Sequence, residues 1–336
     1  MTSIRRGVQR DPSFALSLRW VACRIVSCVF VLCVSAMCAN AQPVLSIEPV
    51  VNSREENLRI EVLEGTLKQI ANRGSIRLAY RRDALPFSYV LPDRGQPLGY
   101  SIDICLDIAH RLANKLDTEL PIEWVPVTAQ NRFETIEKGL ADIECGVSSN
   151  TPERARKVSF SAPIFITGAR ILVPASSKVR VLRDLDRLSV AVVAGSTVAA
   201  ALEKVHTDAR LVSFSTYPEA FEALQKGRVS ALVGDDVLLY GLLDEAALKQ
   251  QYRVVGSFIT HDMYGLVYAH HDPQMADFLS ATLNDLAAQR DLYNYYSRWF
   301  LKNLPGGGRV GIPMSLELDS AFHVMANEAR QSLSKR

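Results

Sequence analysis

Short apolar segments alternate with amphipathic segments along most of this 336-residue chain, and this alternation constrains the fold more than any other feature. Residues 189–194 form a continuous apolar run typical of a central parallel strand, whereas residues 99–116 carry apolar side chains at helical spacing. The same patterns predict further strands over residues 75–80, 122–127, 141–145, 170–174, 211–214, 231–234 and 264–268. They predict further helices over residues 132–138, 217–226, 273–290 and 291–300. Such alternation favours an α/β fold with mostly parallel sheets covered by helices on both faces.

Composition limits the function classes. The hydrophobic fraction of 48% supports a full core, and the length favours two lobes over one small domain. A formal net charge of +2, without a block rich in Lys or Arg, argues against nucleic acid or an anionic membrane surface as a partner. The histidines are scattered and no cysteines stand at ligand spacing in the mature chain, so we expect no metal site and no cofactor.

The N-terminus resembles an export signal. Several arginines precede an apolar run over residues 25–37, and the small-residue motif Ala39-Asn-Ala41 follows. This order predicts a secretory signal peptide over residues 1–41, cleaved after Ala41. The apolar run is short for a membrane anchor, and Cys38 lacks the preceding small residue of a lipoprotein site. We therefore expect a soluble periplasmic protein.

Two cysteines, Cys105 and Cys145, remain after removal of the predicted signal peptide. Cys105 lies on the apolar face of a predicted helix and Cys145 at the end of a predicted strand. Small buried thiols are common at such positions, so we expect both to be reduced. A disulfide is the alternative in an oxidising compartment.

Residues 143–154 form the first candidate ligand site. A short strand breaks at Gly146, and hydroxyl and amide side chains then lead to Thr151-Pro-Glu-Arg154. Thr followed by Pro predicts the start of a helix, whose free N–H groups and positive dipole favour an anion. The guanidinium of Arg154 is suited to a carboxylate. The alternative is a capped helix that carries a surface arginine.

From about residue 67 to residue 317, the chain resembles the family 3 extracellular solute-binding proteins of amino-acid ABC transporters, and most of all their glutamate/aspartate-binding members. The matching motifs are Arg81 five residues before Pro86-Phe-Ser, Gly99-Tyr-Ser-Ile-Asp-Ile, Gln130-Asn-Arg132, Glu144-Cys-Gly146, Glu153-Arg154, Phe160-Ser161, Gly195-Ser-Thr197, Asp235-Asp236 and Arg298-Trp-Phe300. The resemblance implies a two-lobed periplasmic binding protein fold (type II), with two doubly wound sheets joined by two hinge crossings. Lobe 1 would comprise residues 42–169 and 265–336, and lobe 2 residues 170–264.

The resemblance also implies a ligand site in the cleft. Arg154 would bind the α-carboxylate of an amino acid, assisted by Thr151 and by Ser196 and Thr197 of the opposite lobe. Asp235 would bind the α-ammonium, although an N-cap of the following helix is an alternative role for its side chain.

Arg81 and Arg132 match two arginines of the glutamate/aspartate binders, which implies an acidic ligand side chain. The alternative for each is an exposed surface arginine. Three positions depart from those binders: Ala129 and Val147 replace serines, and Tyr217 replaces a histidine that contacts the ligand side chain. The complete set of predicted ligand contacts is Arg81, Arg132, Ser149, Thr151, Arg154, Ser196, Thr197, Tyr217 and Asp235.

These features favour a monomeric, non-enzymatic component of an ABC transporter that captures glutamate or aspartate and delivers it to an inner-membrane permease. One alternative is a cleft enzyme similar to cyclohexadienyl dehydratase. That chemistry needs a general acid or base, and Asp235 is the only candidate, because we expect Glu144 to be structural. A second alternative is a ligand-sensing protein for another dicarboxylate.

Overall fold

A computed structural model describes residues 62–205, 208–243 and 246–334. The predicted signal peptide, its cleavage site and four of the six cysteines lie outside these ranges. Within them, no helix combines the length and the apolar character required to span a membrane.

The described residues form fourteen strands and ten α-helices, and strands and helices alternate as predicted over residues 100–144 and 189–242. The strands are β1 Ile76–Arg81, β2 Asp83–Ala84, β3 Ser88–Tyr89, β4 Ile122–Val127, β5 Ile143–Glu144, β6 Val158–Phe160, β7 Phe165–Thr167, β8 Ala169–Pro174, β9 Ser189–Val193, β10 Arg210–Phe214, β11 Ala231–Asp235, β12 Tyr252–Val255, β13 Asp262–Tyr264 and β14 Val267–Ala269. The helices are α1 Gly65–Arg73, α2 Tyr100–Lys115, α3 Arg132–Glu137, α4 Val198–Lys204, α5 Tyr217–Gln225, α6 Asp236–Leu242, α7 Ala246–Gln251, α8 Pro273–Ala288, α9 Asp291–Tyr296 and α10 Leu316–Ser334.

Two five-stranded sheets organise the structure. The first has the strand order β4-β1-β5-β14-β6, and the second has the order β10-β9-β11-β8-β12. In each sheet four strands run in one direction, and the reversed strand is β14 in the first sheet and β8 in the second. The prediction of mostly parallel sheets is therefore confirmed.

The chain passes between the sheets at a small antiparallel ribbon. Strand β7 leads from the first sheet to the second, β13 leads back, and the two strands pair with each other, with Tyr264 opposite Phe165. The rings of Phe165 and Tyr264 both contact Phe87, so an aromatic cluster supports the ribbon from the first sheet.

The C-terminal part of the chain differs from the sequence interpretation. Residues 264–268 were expected to form one return strand, but the structure has β13 and β14 with a break at Gly265. A Cβ at Gly265 would lie 2.9 Å from the carbonyl oxygen of Ser161, so the chains approach too closely there for a larger residue. Helix α10 is not predicted by the sequence interpretation; it buries Leu318, Phe322 and Met325 against the rest of the protein.

The predicted helix start at Thr151 is wrong. The segment forms only one 3₁₀ turn, over Arg154–Arg156, because the chain enters β6 at Val158. The Thr151 hydroxyl does accept a hydrogen bond from the backbone N–H of Arg154, at 3.3 Å, as a capping residue would. A single turn has no substantial dipole, so anion binding here depends on side chains.

The expectation of two reduced thiols is also wrong. Cys105 and Cys145 form a disulfide, with Cα atoms 6.2 Å apart, and both residues are completely buried. The buried face of α2 lies over the end of β5 and brings the two thiols together. The disulfide thus links α2 to the segment that leads towards the candidate site.

Removing this disulfide should lower stability substantially. The bond joins residues 40 positions apart, and closing a loop of that length in the unfolded chain contributes about 4 kcal/mol in the chain-entropy model. We expect Cys105→Ser to lower the free energy of unfolding by about 2–5 kcal/mol in urea titrations. Equal midpoints for the wild type with and without reductant would show that no such bond contributes.

Candidate functional site

Eight of the nine predicted ligand contacts line one small cavity between the two sheets; only Thr151 does not. Strand β1, helix α3 and the segment after β5 contribute from the first sheet. The segments after β9, β10 and β11 contribute from the second, at the carboxyl ends of those strands, as is usual for ligand sites in α/β proteins. The cavity is lined by Arg81, Ala129, Arg132, Val147, Ser149, Arg154, Ser196, Thr197, Tyr217, Asp235 and Leu238.

Arg81 is buried, so its interpretation as a surface arginine is wrong. Its Nε donates to one carboxylate oxygen of Asp83 at 2.8 Å, and its NH2 donates to the other at 2.9 Å. The arginine therefore reaches the cavity already paired with a carboxylate of the protein, which the sequence interpretation did not anticipate.

Arg132 is also buried, so its interpretation as an exposed surface arginine is wrong as well. Its Nε donates to the hydroxyl of Ser148 at 2.8 Å, and its NH1 donates to the carbonyl oxygen of Ala129. Burial, and then the nearby charge of Arg154, lower the pKa of Arg132 to about 9. Burial and the neighbouring cation both disfavour its charged form, and an anion placed beside it would stabilise that form.

Arg154 bridges the two sides of the cavity. Its NH1 donates to the carbonyl oxygen of Ser149 and its NH2 to that of Gly195, each at 3.0 Å. Its guanidinium carbon lies 4.7 Å from the ring centre of Phe133, which also contacts the guanidinium of Arg132 at 4.3 Å. The ring of Phe133 thus packs against both cations and helps to hold them at the cavity.

Glu144 lies beneath the arginines and is completely buried. Burial raises the pKa of its carboxyl group, against the opposing effect of Arg132 and then of a hydrogen bond to Ser148. Glu144 does not line the cavity, which agrees with the expected structural role. The positive charges of Arg132, Arg81 and Arg154 favour its ionised form, whereas burial favours the protonated form.

Asp235 occupies the N-cap position of α6, yet its side chain makes no capping hydrogen bond, so the capping alternative is wrong. One carboxylate oxygen accepts a hydrogen bond from the Tyr264 hydroxyl, and the other has no hydrogen-bond partner among the described residues. Burial, and then the nearby charge of Asp262, raise the pKa of Asp235 to about 7. A cation at this end of the cavity would stabilise the ionised form.

The remaining predicted contacts are hydroxyl groups. Ser196 donates to the carbonyl oxygen of Val193 at 2.7 Å, and Thr197 donates to Asp262 at 3.2 Å. Tyr217 is buried against Gly234, where a Cβ would lie 2.6 Å from its ring. Burial, and then the charge of Asp235, raise the pKa of Tyr217, so its hydroxyl stays protonated near neutral pH.

Sequence reasoning missed three groups at the site: Asp83, Asp262 and Tyr264. Asp83 follows Arg81 by two residues, and no motif indicates that it turns back to pair with it. Asp262 and Tyr264 were detectable in principle, since they alternate along the short strand β13 and therefore face one side. In the described part of the chain, His, Cys, Asp and Glu side chains form no group able to hold a metal ion.

The pKa of Asp235 predicts a pH dependence of ligand binding. Below about pH 7 this carboxyl is protonated in the ligand-free protein, whereas a bound ammonium favours the ionised form. Binding of an amino acid must then release a proton, so affinity should fall by up to about tenfold per pH unit below pH 7 and level off above it. Calorimetry from about pH 5.5 to 8 measures this, and a flat profile would contradict it.

The two sheets, the crossing ribbon and the polar cavity between them define a two-lobed binding protein with an interlobe ligand site. A model of the bacterial extracellular solute-binding proteins, family 3, matches residues 76–302. The chain belongs to this family, and the type II binding protein fold expected from the sequence is confirmed.

Several characterised proteins are similar over most of their length. The L-glutamate/L-aspartate-binding protein of Pseudomonas aeruginosa is 31% identical over 277 residues, which cover 81% of this chain and 92% of that protein. The glutamate/aspartate import solute-binding protein of Escherichia coli is 29% identical over 268 residues, 78% of this chain and 87% of that protein. The glutamine-binding protein of Geobacillus stearothermophilus is 32% identical over 202 residues, 60% and 75% of the two chains.

Solved structures share the fold. A solute receptor for L-cysteine from Neisseria gonorrhoeae has a TM-score of 0.64 at 25% identity and covers 70% of this chain and 94% of its own. An ancestral amino acid-binding protein, described as a precursor of cyclohexadienyl dehydratase, has a TM-score of 0.62 at 28% identity and covers 70% and 99%.

Proposed function

We propose that this protein is the substrate-binding component of an ABC importer, which captures glutamate or aspartate in the cavity and delivers it to an inner-membrane permease. In this proposal the chain is exported to the periplasm, acts as a monomer and catalyses no reaction. Lobe 1 comprises residues 42–169 and 265–336, lobe 2 comprises residues 170–264, and closure of the lobes encloses the ligand.

The polarity of the cavity is the observation that carries this proposal. At one end, burial of Asp235, and then the negative charge of Asp262, raise the pKa of Asp235 to about 7. At the other end, Arg132 and Arg154 create a positive potential that contributes to lowering the pKa of Arg132 to about 9. An amino acid has the complementary charges, and binding it relieves both unfavourable potentials.

The assignment of contacts follows from that polarity. The α-ammonium binds Asp235, and the α-carboxylate binds Arg154 with Ser196 and Thr197 nearby. Arg81 and Arg132, with Tyr217, face the ligand side chain. Two relatives are named for glutamate and aspartate, which supports an acidic side chain at this end.

Catalysis in the cleft is the second candidate. Asp235 has a pKa near neutrality and a hydrogen bond from Tyr264, and both features suit a general acid or base. The similarity to a structure described as a precursor of cyclohexadienyl dehydratase supports elimination of water from a cyclic substrate as the candidate reaction.

A thermal-shift screen of the mature protein against the amino acids and small dicarboxylates tests both candidates. We expect glutamate and aspartate to raise the melting temperature most, without turnover of any ligand in chromatographic assays. A larger shift with a neutral or cationic amino acid would contradict the acidic ligand. Product formed from a cyclic substrate, and abolished by Asp235→Asn, would favour the enzyme.

A further inference from the structure

A carboxylate of the protein occupies the binding face of one arginine in the cavity. Nε and NH2 of Arg81 contact the two oxygens of Asp83, at 2.8 and 2.9 Å. Arginine uses this same two-point geometry to bind a ligand carboxylate. The side chain of Arg81 therefore cannot offer this face to a ligand while the pair is intact.

The backbone holds this pair in place. The N–H of Arg81 donates to the hydroxyl of Ser88 at 2.9 Å, and that hydroxyl donates back to the carbonyl oxygen of Arg81 at 3.0 Å. Asp83 pairs with Tyr89 in the short β2–β3 hairpin. Only 2% of the Arg81 side chain and 13% of the Asp83 side chain are exposed, so water screens their interaction weakly.

Asp83 reaches Arg81 from a second cavity. This cavity, of about 160 Å³, is lined by Asp83 and by apolar side chains such as Leu85 and Leu242. Tyr217 and Leu238 line both this cavity and the ligand cavity, and so form the partition between them. The negative charge of Asp83 thus lies across this partition from the part of the ligand cavity where the ligand side chain is proposed to bind.

We propose that Asp83 is a specificity-determining residue that limits the preference of this site for a carboxylate side chain over the corresponding amide. The inference rests on the proposed function, because it assumes that Arg81 faces the ligand side chain. A ligand carboxylate at Arg81 must share the guanidinium with Asp83 and meets its negative charge in a poorly solvated place. The amide of glutamine meets no such repulsion.

Removing the charge of Asp83 should therefore favour the acidic ligand. Without Asp83, no carboxylate is hydrogen-bonded to the Arg81 guanidinium in the ligand-free protein, and a ligand carboxylate supplies one. We expect Asp83→Asn to raise the ratio of the glutamine Kd to the glutamate Kd by about tenfold or more. Asp83→Ser removes the same charge with a smaller side chain and should act in the same direction.

The test measures both dissociation constants by calorimetry at pH 8 for the wild type and for variants whose folding is verified by thermal melts. Asp93→Asn is the matched control, because it removes one negative charge from an exposed position that lines neither cavity, and it should leave the ratio unchanged. In an Arg81→Gln background, Asp83→Asn should change the ratio by less than about threefold, since its effect operates through Arg81.

This inference would be overturned if a folded Asp83 variant had an unchanged or lower ratio of the glutamine Kd to the glutamate Kd. It would also be overturned if Asp83→Asn changed that ratio equally in the wild-type and the Arg81→Gln backgrounds. Failure of the proposed function is a different result: the wild type would then bind neither glutamate nor glutamine. If only glutamine bound the wild type, acquisition of glutamate binding by Asp83→Asn would support the inference while correcting the ligand.

Discussion

Replacing Arg154 by alanine should reduce affinity for an acidic amino acid by about 2–5 kcal/mol, or roughly 30-fold to several-thousand-fold. The guanidinium contacts the carbonyl oxygens of Ser149 and Gly195 and lies between the two sheets, where the α-carboxylate of the ligand would bind. Without it, the ligand carboxylate would be desolvated with no cation opposite. Isothermal titration calorimetry measures the loss directly.

Arg156 provides the matched control for this prediction. It belongs to the same 3₁₀ turn as Arg154, but its side chain is exposed and does not line the cavity. Arg156→Ala should therefore change affinity by less than about threefold, because exposed charges contribute little. A loss smaller than tenfold for Arg154→Ala, or equal losses for both variants, would remove Arg154 from the ligand site.

Replacing Asp235 by asparagine should have two opposite effects. The variant loses the charge that binds the ligand ammonium, so affinity should again fall by about 2–5 kcal/mol. Asparagine keeps an oxygen that can accept the hydrogen bond of Tyr264 but carries no buried charge beside Asp262. The ligand-free variant should therefore be more stable than the wild type at pH 8.

The direction of the stability change follows from the pKa. Asp235 has a pKa of about 7 in the folded protein, well above that of an unfolded aspartate, so the folded state binds the proton more tightly. Its contribution to stability is favourable below the unfolded pKa and is lost as the pH rises through about 7. At pH 8 the penalty of the ionised group amounts to a few kcal/mol, at about 1.4 kcal/mol per pKa unit.

Differential scanning calorimetry at pH 5 and pH 8 tests this sign. We expect the melting temperature of Asp235→Asn to exceed that of the wild type by several degrees at pH 8 and by much less at pH 5. A lower melting temperature at pH 8 would mean that the ionised carboxylate stabilises the ligand-free protein. That outcome would contradict the raised pKa of Asp235 in the folded protein.

Much of the fold follows from the sequence because hydrophobic periodicity is local information. Strand β9 appears as a continuous apolar run and α2 as a helical stripe, and both elements form within one or two residues of the predicted bounds. Helix α10 was detectable in principle, because its buried residues Leu318, Phe322, Met325, Ala326 and Ala329 stand at helical spacing and pack against α8.

The candidate site could be predicted only in part. The convergence of Arg81, Arg154 and Asp235 at one cavity follows from the family motifs that they occupy. The disulfide between Cys105 and Cys145 and the pairing of Arg81 with Asp83 do not. The first depends on the distance between two packed segments and the second on the distance set by the turn after β1, and sequence spacing encodes neither distance. Those distances also change the chemistry, since a paired arginine attracts an acidic ligand less strongly than a free one.

A crystal structure of the mature protein with glutamate tests the central claim most directly. We expect closed lobes, with the α-ammonium within hydrogen-bond distance of Asp235, the α-carboxylate on Arg154, and the side-chain carboxylate towards Arg81 and Arg132. Density for glutamate outside the cavity lined by these residues, or a reversed orientation with a carboxylate against Asp235, would contradict it.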